Sequence, residues 1–358
     1  MTSPPPGQRP ADLLSATEAP PALPSAPAHP WAVGHPTVHP DAPPYPAAVA
    51  APPGRIRSAP AGTPYHRLAR TTAHRWWRPM VGTLLVLVVV PLLFVLLAAP
   101  FWIAAELTGQ PDDADGIASF GPLADTALLL LSLGVMTPVV LLAARWVQAR
   151  PAGSVSSVTG RLRWRWLAVC LLLSVPTVTL MVGGLVGLLV VTGDWTDADT
   201  GPMSWVGLRT LAISMAVLLP LVPLQAAAEE YLCRGWLLQA VGAYLRSPWI
   251  AIVPQALLFA AAHGWGTRWG FADLTLFGLV TGWLTVRTGG LEAAIGLHVV
   301  NNLVALGLAA ATGDLASDAT AADAPWHLLA VNLFVMVGYA LVVDRLAARR
   351  GLAATVPA

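Results

Sequence analysis

From residue 80 onward the chain is a succession of apolar runs, near 80–105, 122–144, 166–192, 203–223, 249–263, 271–287, 290–311 and 325–343. Short polar segments separate them. Most approach the ~20 apolar residues that carry an α-helix across a bilayer. The pattern therefore predicts an all-α, polytopic transmembrane bundle of about eight spans. Residues 224–245 keep a helical pattern but carry charge, and 203–245 is too long for one upright span at ~1.5 Å per residue. Pro220 and Pro223 supply a break or kink there, because proline removes a backbone hydrogen bond and clashes with the preceding turn.

Residues 1–74 follow no such period. They run through Pro and Ala with almost no apolar repeat, and a segment of that kind buries too little surface to offset its ordering entropy. The expectation is a disordered cytosolic tail, then a transmembrane domain over 75–350 and a short cytosolic tail at 351–358. No secretory h-region opens the chain. His29, His35 and His39 each precede a proline and read as incidental histidines of a solvated linker.

Composition agrees with the pattern. Hydrophobic residues make up 56% and charged residues 11%, against about 25% charged in soluble chains. The lipid bilayer is therefore the expected surrounding, and a net charge of +1 gives no basis for a nucleic-acid partner. Cys170 and Cys233 both lie in apolar stretches and form no disulfide or metal pattern. The GxxxG pairs Gly183–Gly187 and Gly278–Gly282 read as helix packing.

Charge placement gives orientation. Arg55, Arg57, Arg67, Arg70, Arg75 and Arg78 precede the first span. Arg145, Arg150, Arg161, Arg163 and Arg165 follow the second, and Arg345, Arg349 and Arg350 follow the last. The alternate loops, near 106–121, 193–202 and 312–324, hold Asp112, Asp113, Asp194, Asp197 and Asp314 and no arginine. Basic loops stay in the cytoplasm, so both termini are expected in the cytosol of a multi-pass cell-membrane protein, with only Arg268 out of place. Trp76, Trp77, Trp102, Trp164, Trp195 and Trp326 fall at the span ends, where aromatic belts form.

Polar residues inside the later spans carry the chemistry. An ionisable group at a span centre costs ~2.5–3.5 kcal/mol on insertion scales and marks a functional site by default. Three clusters qualify: Glu229-Glu230-Tyr231-Leu232-Cys233-Arg234, then Phe259 to His263, then His298-Val299-Val300-Asn301-Asn302. Glu230 and Arg234 are four residues apart and share a face. Glu229 is rotated by ~100° from that pair and, left without its partner, is suited to act as a general base. His298 and Asn302 again share a face, so two donors converge. Taken singly, a Glu–Arg pair, a span histidine or a span asparagine is structural more often than catalytic. Together the three clusters hold the parts of a hydrolytic site.

Glu229-Glu230-x-x-x-Arg234, Phe259-x-x-x-His263 and His298-x-x-x-Asn302, in that order, resemble the three signature motifs of the CPBP intramembrane proteases. That family is also known as the CAAX-protease and bacteriocin-processing, or Abi, family. The resemblance covers about 203–312, and Ser156-Ser157-Val158-Thr159-Gly160-Arg161-Leu162-Arg163-Trp164 also looks like bacterial members, with no chemistry attached. It implies an endopeptidase in which Glu229 and His263 activate water. His298 and Asn302 then stabilise the oxyanion, with Glu230 and Arg234 in support. No cofactor is needed on that reading. The metalloprotease alternative places zinc, which takes N and O ligands, on Glu229, His263 and His298. The implied partner is a peptide or membrane-protein substrate, although prenylated substrates do not carry over. The rival classes are a non-proteolytic scaffold or immunity protein and a proton-coupled transporter.

Overall fold

The computed structural model describes residues 55–113, 116–195, 205–317 and 319–358. Most of the expected tail, residues 1–54, lies outside them. Its remainder does not fit the expectation: residues 55–74 are structured, with a 3-10 turn at Tyr65–Arg67 and buried Tyr65, His66, Leu68, Ala69 and Thr71. Few apolar residues suffice here because each enters a site already built by the bundle. The Tyr65 hydroxyl donates to the Val155 carbonyl, and a Cβ on Gly242 would stand 1.9 Å from the His66 carbonyl oxygen. Only glycine admits that approach.

The helices are α1 (Trp77–Leu107), α2 (Pro122–Gly134), α3 (Met136–Trp146), α4 (Trp164–Thr192), α5 (Leu208–Glu230), α6 (Leu238–Gly242), α7 (Trp249–Ala262), α8 (Arg268–Thr288), α9 (Glu292–Thr312) and α10 (Trp326–Arg349). A π-helical turn, Tyr231–Leu237, joins α5 to α6. Among the described residues seven helices are long and apolar enough to cross a membrane, counting α2 with α3 and α5 through α6 as one each. The remaining apolar run, 249–263, is α7, which has 14 residues and a length of ~21 Å, shorter than the ~30 Å hydrocarbon layer. The chain is thus an all-helical, multi-pass membrane bundle. Helix α5 continues through Pro220 and Pro223, and the irregularity falls in the π turn that follows.

Two ends of the bundle can be told apart by their loop contacts. At one end Gly62 and Thr63 pair with Val356, Arg57 N–H reaches the Ala149 carbonyl, and Val158 N–H reaches Gly289. At the other, Val206 bonds Ala311, Thr267 bonds Ala322, and Thr320 Oγ1 donates to the His263 carbonyl. Helix α7 runs from the first end to the second, so the segments before α1 and after α10 meet at one end. That end gathers the arginine clusters named above. Arg209, in the first turn of α5, joins Arg268 at the opposite end, one exception more than the arginine pattern anticipated.

The lipid-facing surface and the core divide along the helices. Leu84, Leu87, Val88, Leu92 and Leu96 of α1 are exposed. The core runs between α5, α7, α8, α9 and α10 and includes Leu218, Ile252, Phe259, Leu284, Leu297 and Met336. Trp236 docks α1 on it: the indole N–H donates to Thr83 Oγ1 at 2.9 Å, and its ring lies where a Cβ on Gly82 would stand.

Candidate active site

The site begins where α5 ends. Glu229 and Glu230 are its last two residues, and Arg234 lies in the π turn. Such turns sit at functional sites because the extra residue re-aims side chains. Segment 147–163 braces this one. Ser156 and Tyr231 share a hydroxyl–hydroxyl bond of 2.7 Å, and Val155 packs where Gly235 lacks a side chain. Arg150 is buried nearby, held by Gln148, Ser154 and Gln239, and burial pushes its guanidinium down to about 10. Arg163 fixes the far end of the segment: its guanidinium makes two bonds to the buried Glu292, at 2.9 and 2.6 Å, its backbone N–H a third at 2.8 Å, and Nη1 reaches the Thr288 and Ala353 carbonyls. The Ser156–Trp164 run is therefore a latch between α9 and the π turn.

Glu230 is fully buried and stands at the centre. Its Oε1 accepts from Arg234 Nη1 at 3.0 Å and bonds His298 Nδ1 at 2.7 Å. The i, i+4 pairing expected for Glu230 and Arg234 is present. With Nδ1 engaged, His298 turns Nε2 toward Glu229, where it stands 3.6 Å from Oε2. That gap is too long for a hydrogen bond. Glu229 Oε2 is buried and without a hydrogen-bond partner.

Glu229 is not free of partners, as the sequence had implied. Gln225 Nε2 donates to its Oε1 at 2.6 Å, and Gln225 Oε1 accepts from Asn302 Nδ2 at 3.1 Å. Asn301 Nδ2 in turn reaches Asn302 Oδ1 at 3.3 Å. His298 and Asn302 thus each bond α5 through one nitrogen, which leaves His298 Nε2 and one Asn302 N–H over. Around them Phe259 and Phe277 stack on one another and meet the His298 ring edge-on. The Arg234 guanidinium lies 4.2 Å from the Phe259 ring centroid, a cation–π contact strengthened by desolvation.

Of the six residues singled out from the sequence, Glu229, Glu230, Arg234, His298 and Asn302 come together. His263 shares no hydrogen bond with them. It caps α7 with Nδ1 on the Phe259 carbonyl at 2.9 Å, and its ring packs on Phe259 at 4.6 Å. The Phe259 ring meets both His263 and His298. The alternative zinc set fares accordingly. Glu229 and His298 offer two donors, but His263 does not complete a third, and no such group of three forms among the described residues. A catalytic zinc takes three protein ligands, and no step is routed through a metal here.

Sequence reading missed Gln225 and the Arg163–Glu292 pair, and it gave Asn301 no role. Gln225 carried a signal, since it lies four residues before Glu229, on the same helical face. Arg163 and Glu292 lie 129 residues apart, and nothing local links them.

Residues 210–304 match the family described as Type II CAAX prenyl endopeptidase Rce1-like. All six residues lie within that segment. An uncharacterized protein of Bacillus subtilis (strain 168), YyaK, is 27% identical over 198 residues, which is 53% of this chain and 63% of the relative. The chain thus spans less than two thirds of that relative's length. No solved structure matches.

Proposed function

Starting from a segment of the Rce1-like CAAX-protease family at 210–304, we propose that the protein is an intramembrane endopeptidase of glutamate type. One observation carries the reading: Glu229 Oε2 and His298 Nε2 face each other at 3.6 Å with Glu230 held behind the imidazole. A water beside Glu229 Oε2 gives it a proton, and the resulting hydroxide attacks the scissile carbonyl carbon. The oxyanion receives hydrogen bonds from His298 Nε2–H and the free N–H of Asn302, placed before charge develops. The proton held by Glu229 then passes to the departing amine. His263 orients the water through Nε2, the ring nitrogen its bond to Phe259 leaves over.

The substrate is a peptide or a membrane-protein segment entering from lipid. The protein resides in the cell membrane with its arginine-rich end in the cytosol. The test is cleavage of a proteome-derived peptide library and of a farnesylated CAAX peptide by purified protein, with products read by mass spectrometry. Glu229→Gln serves as control. Cleavage that persists after exhaustive chelation, in protein shown to be metal-free, supports the glutamate mechanism. Activity lost on chelation and restored by zinc overturns it. Absence of any Glu229-dependent cleavage favours the scaffold or transporter reading.

A further inference from the structure

Gln225 lies in an otherwise apolar stretch of α5, is 4% exposed and has both ends of its amide engaged. Its two partners are the groups assigned above as base and oxyanion donor. We infer that Gln225 is a positioning residue that sets the orientation of Glu229 and Asn302 together, a conclusion that rests on the peptidase reading.

The argument is one of counting donors and acceptors. A carboxylate has two oxygens, and its base strength is directed through whichever is left unbonded. Gln225 Nε2 occupies Glu229 Oε1, so Oε2 is the oxygen left to take a proton, and it is the one facing His298. An asparagine amide has two N–H groups and one carbonyl. Asn301 occupies the carbonyl of Asn302 and Gln225 one N–H, which leaves a single N–H for the oxyanion and fixes which way the amide is turned. Without Gln225, Glu229 rotates about its terminal torsion, which is broad and two-fold, and the Asn302 amide loses one of its two anchors. Gln225 is buried beneath both residues, so substrate binding need not sense the change.

The experiment uses the full chain in detergent. Gln225→Met keeps length and volume but removes both bonds. Losing a hydrogen bond to a charged group predicts a fall in kcat of about 10–100-fold, with KM within about twofold and thermal stability close to wild type. Because Gln225 acts in part through Asn302, the Gln225→Met/Asn302→Ala double variant loses less than the product of the two single losses. A readout without turnover runs beside this. The infrared carboxylate band of Glu229, assigned by its disappearance in Glu229→Gln, shifts in Gln225→Met. Wild-type kcat in Gln225→Met, fully additive losses, or an unmoved band each overturn the inference. If Glu229→Gln and Asn302→Ala themselves leave cleavage intact, the peptidase reading fails instead, and the band alone decides whether Gln225 holds Glu229.

Discussion

Helices α1 and α8 are opposites. The most apolar stretch of α1 has mean hydropathy 3.0, yet only 11% of it is buried, whereas in α8 the values are 1.2 and 50%. Lipid is as apolar as leucine, so hydrophobicity does not drive a helix into the bundle interior. A helix facing lipid can be apolar all round, and α1 is. A helix packed on all sides needs small residues for close approach and polar groups matched to polar neighbours. In α8 Gly278 packs against the backbone of Ala256, the Gly278 carbonyl accepts from Gln255, and Asp273 bonds Asn332. The span most easily recognised in the sequence is therefore the one with least to do at the site.

That contrast can be broken or sharpened by substitution. The largest effect is expected at Glu229: Glu229→Gln keeps shape, removes the base, and lowers cleavage by about 10²–10⁴-fold, with an unchanged unfolding curve. A variant that unfolds rather than idles would make the residue structural. Next is Asn302→Ala, with about 10²–10³-fold lower turnover and little change in KM. A rise in KM at constant kcat would assign Asn302 to substrate binding instead.

Glu230→Gln should act on stability as well as rate, because Arg234 and His298 then face a neutral amide in place of the buried carboxylate. Breaking a buried pair from one side costs about 3–5 kcal/mol, read from denaturant unfolding in micelles. Adding Arg234→Met should recover part of that loss, since the cation is then no longer stranded. If Glu230→Gln alone is as stable as wild type, Glu230 does not hold the π turn.

A smaller effect is expected where the N-terminal segment docks. Tyr65→Phe removes one buried hydrogen bond and should cost about 1 kcal/mol, by the same unfolding measurement. Deleting residues 2–54 should leave the melting point unchanged, while deleting 2–70 should lower it, because only the longer cut removes Tyr65 and Leu68. Equal effects would mean that the segment is an unneeded appendage. The smallest effect belongs to α1 itself. Leu87 is 64% exposed, and Leu87→Ala should fall within about 0.5 kcal/mol with full cleavage. A large loss would show that α1 meets a protein surface there rather than lipid.

Much of the site was legible because helical spacing is local. Glu230 and Arg234 pair as four-residue spacing requires, and His298 and Asn302 rise from one face of α9 toward α5. What spacing could not supply was how α5, α7 and α9 meet. It gave Glu229 no partner, although Gln225 lay one turn away, and it did not show that Phe259 would pack on both His263 and His298. The order of residues 55–74 was illegible for a related reason. Their few apolar side chains have no period of their own and fold only into places that α3, α6 and segment 147–158 provide.

The sequence alone determined that this is an all-helical membrane protein and where most of its long helices run. It also determined which polar residues interrupt them, since each of these depends on the chain within a turn or two. Tertiary structure decided that Glu230 bonds both Arg234 and His298, and that Gln225 ties Glu229 to Asn302. It also joined Arg163 to Glu292 to brace the π turn. Those contacts bring together residues from 4 to 129 positions apart. The longer ones depend on how neighbouring helices cross, which small residues and close packing settle and hydrophobic periodicity does not encode.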